Sequence, residues 1–119
     1  TEWLQMGGGR RLSDSLRAVK IAGDIHVAEV DHKAAKLIRV RAELRGQEIQ
    51  DILITGDFFM MPEETILHLQ EALKGARLEE AELEKRISRL FRETGVQIPG
   101  MVPRDFVEAI LKLREALPH

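Results

Sequence analysis

The sequence predicts an α+β domain of two layers, a three-stranded antiparallel sheet wound as a meander and covered on one face by about three helices. Three observations carry this. Between residues 25 and 55, apolar and polar residues alternate in three short runs separated by turn residues, the period of half-buried strands. From residue 63 onward, apolar residues recur at three- and four-residue spacing, the period of helices lying on a surface. The connections between the strand runs are short, so neighbours in sequence pair in space. A chain of 119 residues can bury a core of this kind as one domain.

Taken in order, the chain begins with little periodicity. Trp3 and Leu4 precede Gly7-Gly8-Gly9-Arg10-Arg11, a stretch that reads as a flexible tail more readily than as a phosphate cradle. Leu16 to Ile21 alternates briefly, as a strand or a helix end would, and Gly23-Asp24 signals a turn. Residues 1–24 are accordingly set apart as an N-terminal extension, and residues 25–119 form the domain. Ile25 to Val30 reads as the first strand, with Ile25 and Val27 in phase and Val30 shifted, and Asp31 to Ala35 as a turn. Lys36 to Leu44 is the clearest strand: Leu37, Val40, Ala42 and Leu44 are apolar, while Arg39, Arg41, Glu43 and Arg45 fall on the alternate face from Arg39 onward. Gly46 supplies the hairpin turn that leads into Glu48 to Thr55, where Ile49, Ile52 and Ile54 are β-branched.

Pro62 fits the first position of a helix, and Glu63 and Glu64 suit its positive end. That helix carries Ile66, Leu69 and Leu73 and stops at Gly75. A second runs from Glu79 to Thr94 with Leu83, Ile87, Leu90 and Phe91 on one stripe and Gly95 as its cap. Pro103 opens a third, with Phe106, Val107, Ile110, Leu113 and Leu117.

Composition narrows the function. Net charge of −2 gives no long-range pull toward nucleic acid or anionic lipid. No apolar run reaches membrane length or resembles a signal-peptide core, so the expected location is the cytoplasm. Cysteine is absent, which removes disulfides, thiol catalysis and cysteine-held metal clusters. Asparagine is absent and arginine outnumbers lysine twelve to six, the usage expected of a thermophile.

Chemistry is sparse. No Ser/His/Asp arrangement, phosphate-binding loop or dinucleotide fingerprint occurs, so no catalytic residue is assigned. His26, His32, His68 and His119 are scattered. His26 and His32 are six apart on one strand-turn segment, a spacing able to place both on one face, yet nothing completes a metal set, and the histidines read as solvent-facing. The stretch with most character joins the last strand to the first helix: Gly56, Asp57, Phe58, Phe59, Met60, Met61. Asp57 reads as a cap on the following turn rather than a catalytic acid. Of two adjacent phenylalanines, one enters the core and the other is left for a partner. The four large apolar residues are either all core or include one or two that form an exposed patch.

The run Ile54-Thr55-Gly56-Asp57-Phe58-Phe59 with Pro62-Glu63-Glu64 resembles the C-terminal accessory domain of lipoate-protein ligases, in some organisms a separate small subunit. The resemblance extends over Lys33 to about Ala116. It takes in Lys36-Leu37-Ile38-Arg39-Val40, Ala72-Leu73-Lys74-Gly75 and Ile98-Pro99-Gly100-Met101. It implies an antiparallel sheet with helices packed on one face. Ala34-Ala35 stand where the family usually has Gly-Gly, so this turn must do without cheap positive φ.

Such ligases activate lipoate with ATP to lipoyl-adenylate and pass the lipoyl group to a lysine of a carrier domain. That catalytic fold is larger than 119 residues leave room for beside the accessory fold, so the resemblance implies an accessory subunit acting in trans. Its implied partner is a lipoate-protein ligase catalytic subunit in a heterodimer, with the lipoyl carrier domain reached indirectly and no nucleic acid or membrane involved. Lipoate and ATP/Mg are expected on that partner, with no cofactor bound by this chain alone. The implied contact residues are Lys33 and Lys36, able to reach a phosphate or a partner carboxylate, together with Gly56, Asp57, Phe58 and Phe59. One alternative is a non-catalytic scaffold similar in fold to iron–sulfur assembly proteins; another is a homo-oligomer that buries the Phe-Phe joint between copies.

Overall fold

The computed structural model describes residues 15–117, the first strand by its backbone alone. The glycine–arginine stretch at residues 7–11 and His119 lie outside the described residues. Four strands come first: β1 (Ser15–Ala22), β2 (Ile25–Lys33), β3 (Leu37–Arg45) and β4 (Glu48–Gly56). The helices follow as α1 (Thr65–Leu73), α2 (Glu80–Thr94), α3 (Pro103–Leu111) and the short α4 (Leu113–Ala116). The sheet is antiparallel throughout, in the order β1-β2-β3-β4. The three expected strands form the meander, and β1 adds a fourth, drawn from residues set apart as an extension. A turn at Gly23, with φ of +55°, folds β1 back along β2 so that Val19 faces Val27 and Arg17 faces Glu29.

β3 sets the phase of the sheet. Ile38, Val40, Ala42 and Leu44 are buried while Arg39, Arg41, Glu43 and Arg45 are exposed. Through the register Ala28–Ala42, Val30–Val40 and His32–Ile38, the same face of β2 is the covered one. Ala28 and Val30 are therefore fully buried, and Ile25 and Val27, the pair that sets the apolar phase in the sequence, belong to the other face. β2 also runs on through Asp31 to Lys33, where a turn was expected, because its pairing with β3 continues to Lys33–Leu37.

In β4, Ile49 and Ile52 are three residues apart yet both buried. The register passes from Glu43–Asp51 to Leu44–Ile49, which leaves Gln50 as the extra residue of a bulge and keeps all three isoleucines inward.

The helices bury one stripe each: Leu69 and Leu73 from α1, Leu83, Ile87 and Leu90 from α2, and Phe106, Val107, Ala109 and Ile110 from α3. Together with the inner residues of β2–β4 they make one core. Gly95 caps α2 at φ of +66°, its N–H donating to the Phe91 carbonyl. Pro103 stands in the first turn of α3, and the Asp105 carboxylate accepts the Val102 N–H at 2.9 Å. Arg104 ties α3 to α2 through Glu80 and Glu84.

Two expectations about helices are corrected. Pro62 does not open α1: it follows a cis Met61–Pro62 peptide, and successive bonds from Thr65, Ile66 and Leu67 back to residues 62–64 make a tight turn ahead of the helix. Glu63 and Glu64 belong to that turn, and α1 has no acidic residue in its first turn. The last helix breaks at Lys112 into α3 and α4, which still buries Leu113 and Leu117.

The outer edge of β4 is occupied. Gly75 donates to the Ile49 carbonyl (2.7 Å), Ile49 donates to the Ala76 carbonyl (2.8 Å), and Leu78 donates to the Gln47 carbonyl (2.9 Å). Further along, the Gln70 side chain accepts the Ile54 N–H at 2.9 Å. Among the described residues, no helix is long and apolar enough to cross a membrane.

Candidate functional site

The joint between β4 and α1 lies beside the β2–β3 turn because the two are stitched together. The Leu37 N–H donates to Asp57 Oδ1 at 2.8 Å, and the Asp57 N–H donates back to the Leu37 carbonyl at 3.3 Å. Asp57 does cap a backbone N–H, but across the sheet rather than in the turn ahead of it: its partner is 20 residues away in sequence. Gly56 makes that approach possible. A Cβ there would run into the Leu37 carbonyl oxygen and lie 2.6 Å from the Phe58 ring, so only glycine fits the position.

From Asp57 the chain runs extended, and successive side chains point to opposite sides. Phe58 turns inward and meets Phe106 edge-on, ring centroids 5.4 Å apart at 88°, while Phe106 in turn leans on Phe91. Phe59 turns outward and is 78% exposed. Met60 is buried, and Met61 is 61% exposed. The reading that all four are core is thus set aside: two are core and two form an apolar pair on one side of the segment. At its far end the segment is fastened again, Met61 and Gln97 exchanging two backbone bonds of 3.0 Å each.

Lys33 and Lys36 are both exposed at the β2–β3 turn. No non-glycine residue among those described has positive φ, so Ala34 and Ala35 close this turn without the left-handed conformation. The nearby Arg39 is committed to Asp31 through bonds of 2.7 and 3.3 Å, which hold its guanidinium pKa above the ordinary value, first by the hydrogen bond and then by charge. The structure thus brings the turn bearing Lys33 and Lys36 to the joint of Gly56 to Phe59. Sequence reasoning missed Leu37 and Gln97, whose main chains fasten the joint. Leu37 had left a trace, an apolar residue out of phase beside Ile38. Gln97 had left none.

Among the described residues, no group of three or more His, Asp or Glu converges to hold a metal ion. His32 is not solvent-facing. The phase of β2 turns it to the helices, its side chain 12% exposed with Nε2 3.9 Å from Glu108 Oε1. A groove of about 800 Å³ opens along α1 and α2, lined by Ala72, Glu82, Arg86 and Leu90 among others. Arg86 there is engaged structurally, donating to the Ala72 carbonyl at 2.8 Å and pairing with Glu82 at 3.1 Å.

An antiparallel sheet covered by helices on one face, with an apolar joint exposed at its rim, defines a small α+β domain. Residues 29–110 match the family model of the bacterial lipoate protein ligase C-terminus, and the chain belongs to that family. It is similar to lipoate-protein ligase A subunit 2 of Thermoplasma acidophilum, 46% identical over 79 residues, which are 66% of this chain and 81% of the relative. It also resembles a chain solved in the structural analysis of an archaeal lipoylation system, a bi-partite lipoate protein ligase and its E2 lipoyl domain from the same organism. That match has a TM-score of 0.59 and 31% identity, covering 82% of this chain and 96% of the other.

Proposed function

We propose that this chain is the accessory subunit of a two-piece lipoate-protein ligase. It docks on a separate catalytic subunit and supports ATP-dependent activation of lipoate to lipoyl-adenylate for protein lipoylation. The observation that carries this reading is the similarity to a relative that is itself called subunit 2 of such a ligase. The exposed Phe59 and Met61 agree with it, since apolar residues rimmed by charge mark surfaces that meet a partner. Lys33, Lys36 and Phe59 are the contact points, and Gly56, Asp57 and Phe58 shape the joint that presents the ring. Lipoate, ATP and Mg lie on the catalytic subunit, this chain helps to order that site, and the lipoyl carrier domain is met only through the partner. The complex works in the cytoplasm, where ATP is supplied.

The test is lipoyl-adenylate formation by the cognate catalytic subunit, with and without this chain. Formation that requires both supports the accessory role, and this chain alone forms none. Equal rates with the catalytic subunit alone, together with no complex on size exclusion, overturn it.

A further inference from the structure

The segment from Asp57 to Met61 is fixed before any partner arrives. Its start is held by the reciprocal Asp57–Leu37 bonds and its end by the reciprocal Met61–Gln97 bonds. Its inward residues, Phe58 and Met60, are packed on the core, so the backbone is held at both fastenings and from beneath. Phe59 is therefore exposed on a rigid frame, unlike a ring on a loose loop that can fold away. Interface energy concentrates in such aromatic anchors, and a frame already set spares the ordering cost of binding.

We infer that Phe59 is the anchor residue of the interface with the catalytic subunit, and that Asp57 is a positioning residue which acts through Phe59 without touching the partner. This rests on the accessory role proposed above. The occupant is the catalytic subunit because the matched family segment contains the whole joint and the relatives belong to a two-piece ligase. Its chemistry follows from the frame: an apolar pocket wide enough for one phenyl ring.

The experiment titrates the full-length chain into its cognate catalytic subunit by calorimetry, alongside thermal melting of each variant. Phe59→Ala weakens binding at least ~30-fold, the loss of an interface anchor. Asp57→Ala weakens it about tenfold, because the acceptor for the Leu37 N–H is gone and the frame loosens. Asp57→Asn stays within about threefold of wild type, since its amide oxygen still accepts that N–H. Combined with Phe59→Ala, the Asp57→Ala change adds less than about twofold, as two residues acting through one contact do not add.

Wild-type affinity in Asp57→Ala overturns the inference. So does an Asp57→Asn as weak as the alanine variant, which marks the charge itself as a contact, and so do additive losses in the double variant. Should Asp57→Ala not fold, Asp57→Asn and Phe59→Ala decide alone, and wild-type affinity in the latter removes the anchor. The wild-type titration comes first and reports on the accessory role separately. No binding there sinks that role, whereas binding with insensitive variants sinks only the anchor and its frame.

Discussion

Two connections flank α1, and they are built alike. Before the helix, Phe58 and Met60 point inward and Phe59 and Met61 outward; after it, Ala76 and Leu78 point inward and Arg77 and Glu79 outward. Both are fastened to neighbouring chain by backbone bonds, the first to Leu37 and Gln97, the second to Ile49 and Gln47. They differ in what stands outside. Arg77 and Glu79 pair with one another at 3.4 Å and are content in water, whereas Phe59 and Met61 gain nothing there. The same extended, alternating backbone turns a charged pair outward in one place and two bare apolar side chains outward in the other. Geometry sets which residue faces out; the residue type sets whether that matters to a partner.

The comparison breaks first at the inward residues, which are predicted to matter for folding alone. Leu78→Ala removes a fully buried side chain and should cost about 2–5 kcal/mol in denaturant unfolding. Affinity for the catalytic subunit should be unchanged wherever the variant is folded. A large loss of affinity in a folded Leu78→Ala would mean that the second connection also serves the partner.

The outward pair sharpens the contrast. Phe59→Ala and Arg77→Ala should each leave unfolding free energy within about 0.5 kcal/mol of wild type. Lipoyl-adenylate formation at limiting subunit concentration should collapse for Phe59→Ala and hold for Arg77→Ala. Equal activity in the two variants would erase the difference between the connections.

Between these in position lies the end of α1, where Arg86 satisfies the Ala72 carbonyl from α2. Arg86→Ala should lower stability by about 1–2 kcal/mol, the worth of a charge-assisted bond, with no change in partner affinity. The smallest effect is at Lys74, beside the second connection. Its hydrogen bond to Glu71, then the Glu71 charge, raises its pKa above the ordinary lysine value. A raised folded pKa gives stability that is present below the unfolded value and lost as pH climbs through the folded one. The melting temperature should therefore fall slightly more steeply at alkaline pH in wild type than in Lys74→Met, as followed by circular dichroism.

Much of this was legible in the chain. From Ile38 onward β3 could be read outright because its polar and apolar residues keep strict step, and Gly46, Gly95 and Pro103 mark their turns and caps by local rules. The divided fate of Phe58 and Phe59 also follows from adjacency on an extended segment. What could not be read depends on distant register. β-branched Ile25 and Val27 look inward by type, yet the pairing with β3 gives the covered face to Ala28 and Val30. Asp57 has a turn-former's sequence context and a partner on another strand. No local window contains both halves of that bond.

A protein that holds a bare phenyl ring in water is exposed to one hazard, self-association, and the flank of β4 bears on it. The Ile49 N–H and carbonyl are taken by residues 75 and 76, the Ile52 N–H by its neighbour Asp51 at 3.0 Å, and the Ile54 N–H by Gln70. No ladder of vacant donors is left on that side for another molecule's strand to zip onto. Near the exposed ring the edge of β4 thus offers a poor template for the strand of another molecule.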